Sequence, residues 1–190
     1  MLLERLRASL ERVLGALGRS SEPLLAPLLE RQPIRRSLHR RALRAWRATE
    51  EPLIVCMGNI NRSPFAAELA CRRAESRARS AGLYPIPDRP SPPLTVSAAR
   101  AYGVDLQAHR SSTLDAATVA HAPAIFIFDL ENLARLSVRY PLALWRAHFV
   151  GGLSDSGTVL ISDPHGHEQP VLERVLSQIA GAIERADLDR

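Results

Sequence analysis

Cys56 and Arg62 bracket the run Cys56-Met57-Gly58-Asn59-Ile60-Asn61-Arg62-Ser63-Pro64. This spacing lets a chain wrap once around a tetrahedral oxyanion, with a thiol at the centre and a guanidinium at the rim. Backbone N–H groups of Met57 through Arg62, and the N-terminus of a helix that follows, are the groups that would neutralise such an anion. The same positive surroundings favour the thiolate, the form of cysteine that attacks electrophiles. Arg62 can clamp two oxygens in a bidentate fork, and Gly58 permits the close backbone approach. A plainer reading stands beside this one, since cysteines at strand ends are common small hydrophobes.

The elements around the run suit the first reading. Apolar Pro52-Leu53-Ile54-Val55 predicts a buried strand leading into the loop. Pro64 sits where a missing N–H costs a helix nothing and marks a helix predicted over Pro64 to Arg79. Further helices are expected from Ser91 (the cap) to Tyr102, Asp115 to His121, Leu130 to Val138 and Glu168 to Ala186. Ala124 to Phe128 reads as a buried strand and Leu142 to Val150 as mostly strand. Such alternation predicts a parallel sheet with helices on both faces, and sheets of that kind place ligands at the carboxyl ends of their strands. Pro85 to Pro93 is expected to be a stiff loop.

The run, with the strand before it and Ser63-Pro64 after it, resembles the low-molecular-weight protein tyrosine phosphatases, whose signature reads C-x-G-N-x-C-R-S-P. The likeness continues through Ser80-Ala81-Gly82, Tyr102 to Arg110, Ile125 to Asp129, Asn132-Leu133 and Asp163-Pro164, and covers about Pro52 to Ala186. It implies a three-layer α/β fold with a central parallel four-stranded sheet, and hydrolysis of phosphotyrosine in proteins through a cysteinyl-phosphate. It also implies roles. Cys56 is the nucleophile, Arg62 the phosphate clamp and Asp163 the general acid. Met57, Gly58, Asn59, Ile60, Asn61 and Ser63 bind phosphate or support the loop, Ser63 by a hydrogen bond to the Cys56 sulfur and Asn59 by bracing the backbone. No metal or other cofactor is expected, because backbone dipoles and Arg62 supply the positive charge. Asp129 is expected either to support the wall of the site or to cap the next helix.

Two departures from the family pattern bear on function. Asn61 stands where many members carry a second cysteine, and Cys71 is expected in the core, so no disulfide partner is assigned to Cys56. Asp163-Pro164-His165-Gly166 lacks the aromatic residues that follow the proline in the family, which leaves Tyr84 or His165 to wall an aryl ring. His165 and His167 have metal-like spacing but are too few for a zinc site. Two other functions share the loop: arsenate reduction, which needs further cysteines, and a catalytically silent anion-binding module.

Charge divides the chain. Residues 1–49 hold 11 Arg and 4 Glu, or +7, and residues 50–190 hold 14 Arg and 16 acids, or −2. Residues 1–50 are expected to be a basic amphipathic helical extension and 51–190 the catalytic domain. Leu2, Leu3, Leu6, Leu10, Val13, Leu14 and Leu17 predict a first helix ending near Gly18. The Ser20-Ser21-Glu22-Pro23 cluster starts another, and Arg35 to Arg47 makes a third. This arm is read as packing on the domain or on a second copy, with peripheral contact to an anionic membrane as the other use of its charge; no motif calls for nucleic acid. Its removal is expected to leave the chemistry intact, since every assigned residue lies at or beyond Cys56. Two cysteines, Cys56 and Cys71, argue against a disulfide framework, and a working thiolate calls for a reducing, cytoplasmic setting. No secretory or membrane-spanning segment is expected. By analogy with bacterial members of the family, a tyrosine kinase that governs exopolysaccharide export is the expected partner.

Overall fold

The computed structural model describes residues 2–73, 76–84 and 86–188. Four parallel strands, β1 (Leu53–Cys56), β2 (Arg79–Gly82), β3 (Ile125–Ile127) and β4 (Ala147–Phe149), lie in the order β2-β1-β3-β4. The order reverses between β1 and β3, so the crevice beyond their carboxyl ends is where such a sheet receives a ligand. Cys56 ends β1 there, and Phe128 and Asp129 follow β3.

Alternation along the strands fills two apolar layers. Ile54 and Phe126 face a core with Phe65 and Leu69 of α3 (Arg62–Arg73) and Val175, Ile179 and Ile183 of α7 (Gln169–Leu188). Leu53, Val55, Ile125 and Ile127 face the other layer, which takes in Val119 of α5 (Ala116–His121) and Leu136 of α6 (Leu130–Arg139). The expected three-layer fold is the one observed.

The N-terminal residues form two helices rather than three, α1 (Leu2–Leu29) and α2 (Gln32–Arg47). The expected break at Gly18 is absent for a tertiary reason: α1 packs along α6. A Cβ at Gly18 would stand 2.8 Å from the Leu130 carbonyl oxygen, so glycine here serves close helix approach rather than termination. Pro23 and Pro27 are accommodated within the same helix. Helix α2 reaches the first core layer, where Ala42 and Trp46 are each 1% exposed. The Trp46 ring meets Phe126 edge-on at 5.1 Å, and its Nε1 donates to Asp187 at 3.2 Å. The turn between the helices grips the chain leading to the Asp163 loop. Glu30 accepts from Val159 N at 2.6 Å, and Arg35 donates to the carbonyls of Asp155 at 3.1 Å and Gly157 at 2.6 Å.

This packing changes the expectation for the arm. Removing residues 1–49 strips Trp46 from the core and both anchors from the 155–159 segment, so loss of the folded domain is now the expected outcome. Trp46→Ala alone is expected to cost about 3–5 kcal/mol, the usual range for a buried Trp emptied to Ala, measurable by chemical denaturation. A cost below about 1 kcal/mol would make the arm a loosely attached appendage.

Other boundaries shift for local reasons. Helix α3 begins at Arg62, two residues before Pro64, and is described as far as Arg73; it does not reach Arg79, because Arg79–Gly82 is the edge strand β2. That strand has no β-branched residue and escapes a sequence reading. Part of the predicted helix, residues 74 and 75, and Pro85 of the stiff loop lie outside the described residues. Helix α4 (Pro93–Ala99) follows Pro92 rather than a Ser91 cap and tightens to a 3₁₀ turn over Arg100–Tyr102, which Gly103 stops at φ +72°. Leu142 to Val150 is mostly 3₁₀ helix, with only Ala147–Phe149 in the sheet. Cys71 is exposed on α3, not in the core. Among the described residues no helix is long and apolar enough to cross a membrane.

Candidate active site

The loop between β1 and α3 curls over the end of the sheet with Cys56, 3% exposed, at its base. Asn59 N donates to the Cys56 sulfur at 3.2 Å, and Ser63 Oγ lies 3.0 Å from it. Asn59 Nδ2 donates to Ser63 Oγ at 3.0 Å, which occupies an acceptor lone pair and leaves the serine proton free to point at sulfur. Two donors therefore converge on Sγ, an arrangement that suits a thiolate.

Asn59 carries the loop's conformational load. Its φ of 51° lies in the left-handed region, where Asn is among the few tolerated side chains. Further polar contacts hold it there. Nδ2 also donates to Ser80 Oγ at 2.8 Å, Oδ1 accepts from Ser112 N at 2.8 Å, and His109 Nε2 lies 2.7 Å from its carbonyl oxygen. Gly82 lies beneath: a Cβ there would stand 3.1 Å from Asn59 Cβ and 3.2 Å from Met57 O. Asn61, in the position of the family's second cysteine, accepts from buried Thr95 at 2.6 Å and ties the loop to α4.

Arg62 is 1% exposed and held from several sides. Its Nη1 donates to Asp129 at 2.5 Å and to the Ile161 carbonyl at 3.0 Å, its Nη2 pairs with Asp163 at 2.6 Å, and the guanidinium lies over the Phe128 ring at 5.2 Å. Burial alone would lower its pKa, but the charges of Asp129, Asp163 and Cys56 outweigh that and hold it above the ordinary value. Burial pushes the Asp129 carboxyl up from its usual range, against the pull of Arg62. Asp129 fills both expected roles, since its other oxygen caps α6 by accepting from Asn132 N at 2.7 Å.

A cavity of about 300 Å³ opens over the loop, lined by Cys56, Met57, Gly58, Ile60, Asn61 and Arg62, with Asp163 at its side. Tyr84, Arg89 and His165 complete the mouth. Arg89 is a residue that sequence reasoning missed: its guanidinium lies over the Tyr84 ring at 5.1 Å and donates to Gly58 O at 2.6 Å. A lone arginine in a proline-rich stretch gave no signal. Of the two suggested replacements for the aromatic wall, Tyr84 and His165, both stand at the mouth.

Comparison with known proteins agrees with this geometry. Residues 52–186 match the family model for low molecular weight phosphotyrosine protein phosphatases. The probable low molecular weight protein-tyrosine-phosphatase EpsP of Ralstonia nicotianae is 26% identical over 133 residues, 70% of this chain and 90% of that protein. Among solved structures, the tyrosine phosphatase Wzb from Escherichia coli K30 in complex with sulphate superposes with a TM-score of 0.67 at 24% identity, covering 74% of this chain and 97% of that one. The arginine phosphatase YwlE from Geobacillus stearothermophilus also gives 0.67, at 22% identity over 73% and 91% of the two chains.

Proposed function

The chain belongs to the low-molecular-weight phosphotyrosine protein phosphatase family, and from that premise we propose that it hydrolyses phosphotyrosine in proteins through a phosphate ester of Cys56. The observation that carries the proposal is the meeting of two donors on the Cys56 sulfur inside a loop whose buried Arg62 reaches Asp163 across the cavity. The thiolate attacks phosphorus, forming the P–S bond as the ester P–O bond breaks. Loop N–H groups and Arg62 hold the three equatorial oxygens. Asp163, protonated, gives its proton to the leaving oxygen. As carboxylate it then takes a proton from water, whose oxygen attacks phosphorus while sulfur departs to Ser63 and Asn59. A phosphate dianion competes for the guanidinium that Asp163 holds in this structure, and so frees the carboxyl to face the leaving group.

The aryl preference rests on Tyr84 and His165 at the mouth. Residues 51–190 form the catalytic domain in this reading, and residues 1–50 a helical extension built into it. A protein tyrosine kinase is the class of enzyme that must supply the substrate, and the setting is cytoplasmic.

The test is turnover of an aryl phosphate by the purified protein in the presence of a chelator, beside phosphoarginine and beside arsenate with a thiol donor. Aryl phosphate hydrolysis that survives chelation is expected. Preferred turnover of phosphoarginine, or arsenate reduction without hydrolysis, would replace the proposed substrate.

A further inference from the structure

Helix α1 walls a second hollow beside the phosphate pocket. The hollow, about 590 Å³, shares Asp163 and His165 with that pocket, so the two adjoin at the general-acid loop. Its far side is α1, through Arg19, Glu22 and Pro23; its near side is Ser162, His165 and His167. None of the α1 residues falls within the 52–186 family match, so this wall is an addition to the family's site.

The charges lining the hollow are committed with one exception. Glu131 pairs with both Arg19 and Arg135, and Asp129 and Asp163 both pair with Arg62. Glu22 is half-buried, and its carboxyl has neither hydrogen bond nor ion pair to another described residue. Burial and then the nearby Asp129 charge hold its carboxyl above the ordinary value, opposed by Arg62. A carboxyl so placed gains most from a cation that enters the hollow.

Resting on the phosphatase reading above, we infer that this hollow is a substrate subsite in which Glu22 receives the guanidinium or ammonium of an Arg or Lys flanking the phosphotyrosine. The phosphate sits on the Cys56 loop, the ring leaves past Tyr84 and His165, and the peptide runs across the Asp163 loop towards α1. The extension thereby helps to choose which phosphoprotein is hydrolysed, a task separate from its packing role through α2.

The experiment compares kcat/KM for three phosphotyrosyl peptide sets that carry Arg, Ala or Glu at the positions flanking phosphotyrosine, with wild type, Glu22→Gln and Glu22→Arg. Wild type is expected to prefer the best Arg peptide over its Ala counterpart by about fivefold, the scale of one partly screened, charge-assisted contact. Glu22→Gln brings the ratio to about one, and Glu22→Arg turns the preference towards Glu. A wild-type ratio of one, or a ratio unchanged in Glu22→Gln, overturns the subsite while leaving the phosphatase reading intact, because the Ala peptide is still hydrolysed. Failure to hydrolyse any peptide overturns both.

Discussion

Cys56→Ser is expected to lower aryl phosphate turnover by on the order of 10⁴-fold or more, the scale seen when a nucleophile that acts as a unit with its partners is removed. A serine hydroxyl is not ionised at neutral pH, and the Asn59 and Ser63 donors that favour a thiolate cannot activate it by taking its proton. The fold should persist. Serine is smaller than cysteine, and Asn59 N and Ser63 Oγ keep an oxygen to meet where they now meet sulfur. The variant should therefore melt within a few degrees of wild type and still bind phosphate or vanadate. Retention of wild-type turnover would remove Cys56 from the chemistry.

Asp163→Asn is expected to slow hydrolysis of a phosphate with a poor leaving group by about 10²–10⁴-fold, the usual worth of general acid–base catalysis. A substrate whose leaving group departs without a proton should form the covalent intermediate at a much less affected rate. The same substitution removes the base that activates water in the second step, so that intermediate should accumulate. Stopped-flow measurement with both substrate types separates these effects. Equal and slight slowing of the two would make Asp163 a turn residue that only pairs with Arg62, and the acid would have to be sought elsewhere.

The chemistry was more legible in the sequence than its support. Cys56, Gly58, Arg62 and Ser63 are local, and with the apolar strand before them and Pro64 after them they point to a loop around an anion, which their spacing alone does not. Asn59 was readable as a brace, but its partners were not: Ser80, Ser112 and His109 lie 21, 53 and 50 residues away and converge only once β2 and the 109–113 segment pack under the loop. Strand β2 itself went unseen because Arg79-Ser80-Ala81-Gly82 has the composition of a turn, while its role is to pair with β1 at the sheet edge and leave room at Gly82. The arm was misdivided for the opposite reason. Gly18 and Pro23 carry strong local stop signals, yet packing against α6 overrides them, as tertiary contacts commonly do. Trp46 gave the clearest neglected hint, for a large ring on an otherwise basic helix needs somewhere to be buried, and it found Phe126 of β3.

The most direct test of the central claim is to find the phosphate on sulfur. Asp163→Asn should be mixed with an aryl phosphate whose leaving group needs no proton, quenched within a turnover under conditions that preserve phosphocysteine, and digested for mass spectrometry. The account predicts one phosphorylated site, Cys56, whose label decays as inorganic phosphate appears. Phosphate on another residue, or product formed at full rate with Cys56 unmodified throughout, would contradict it.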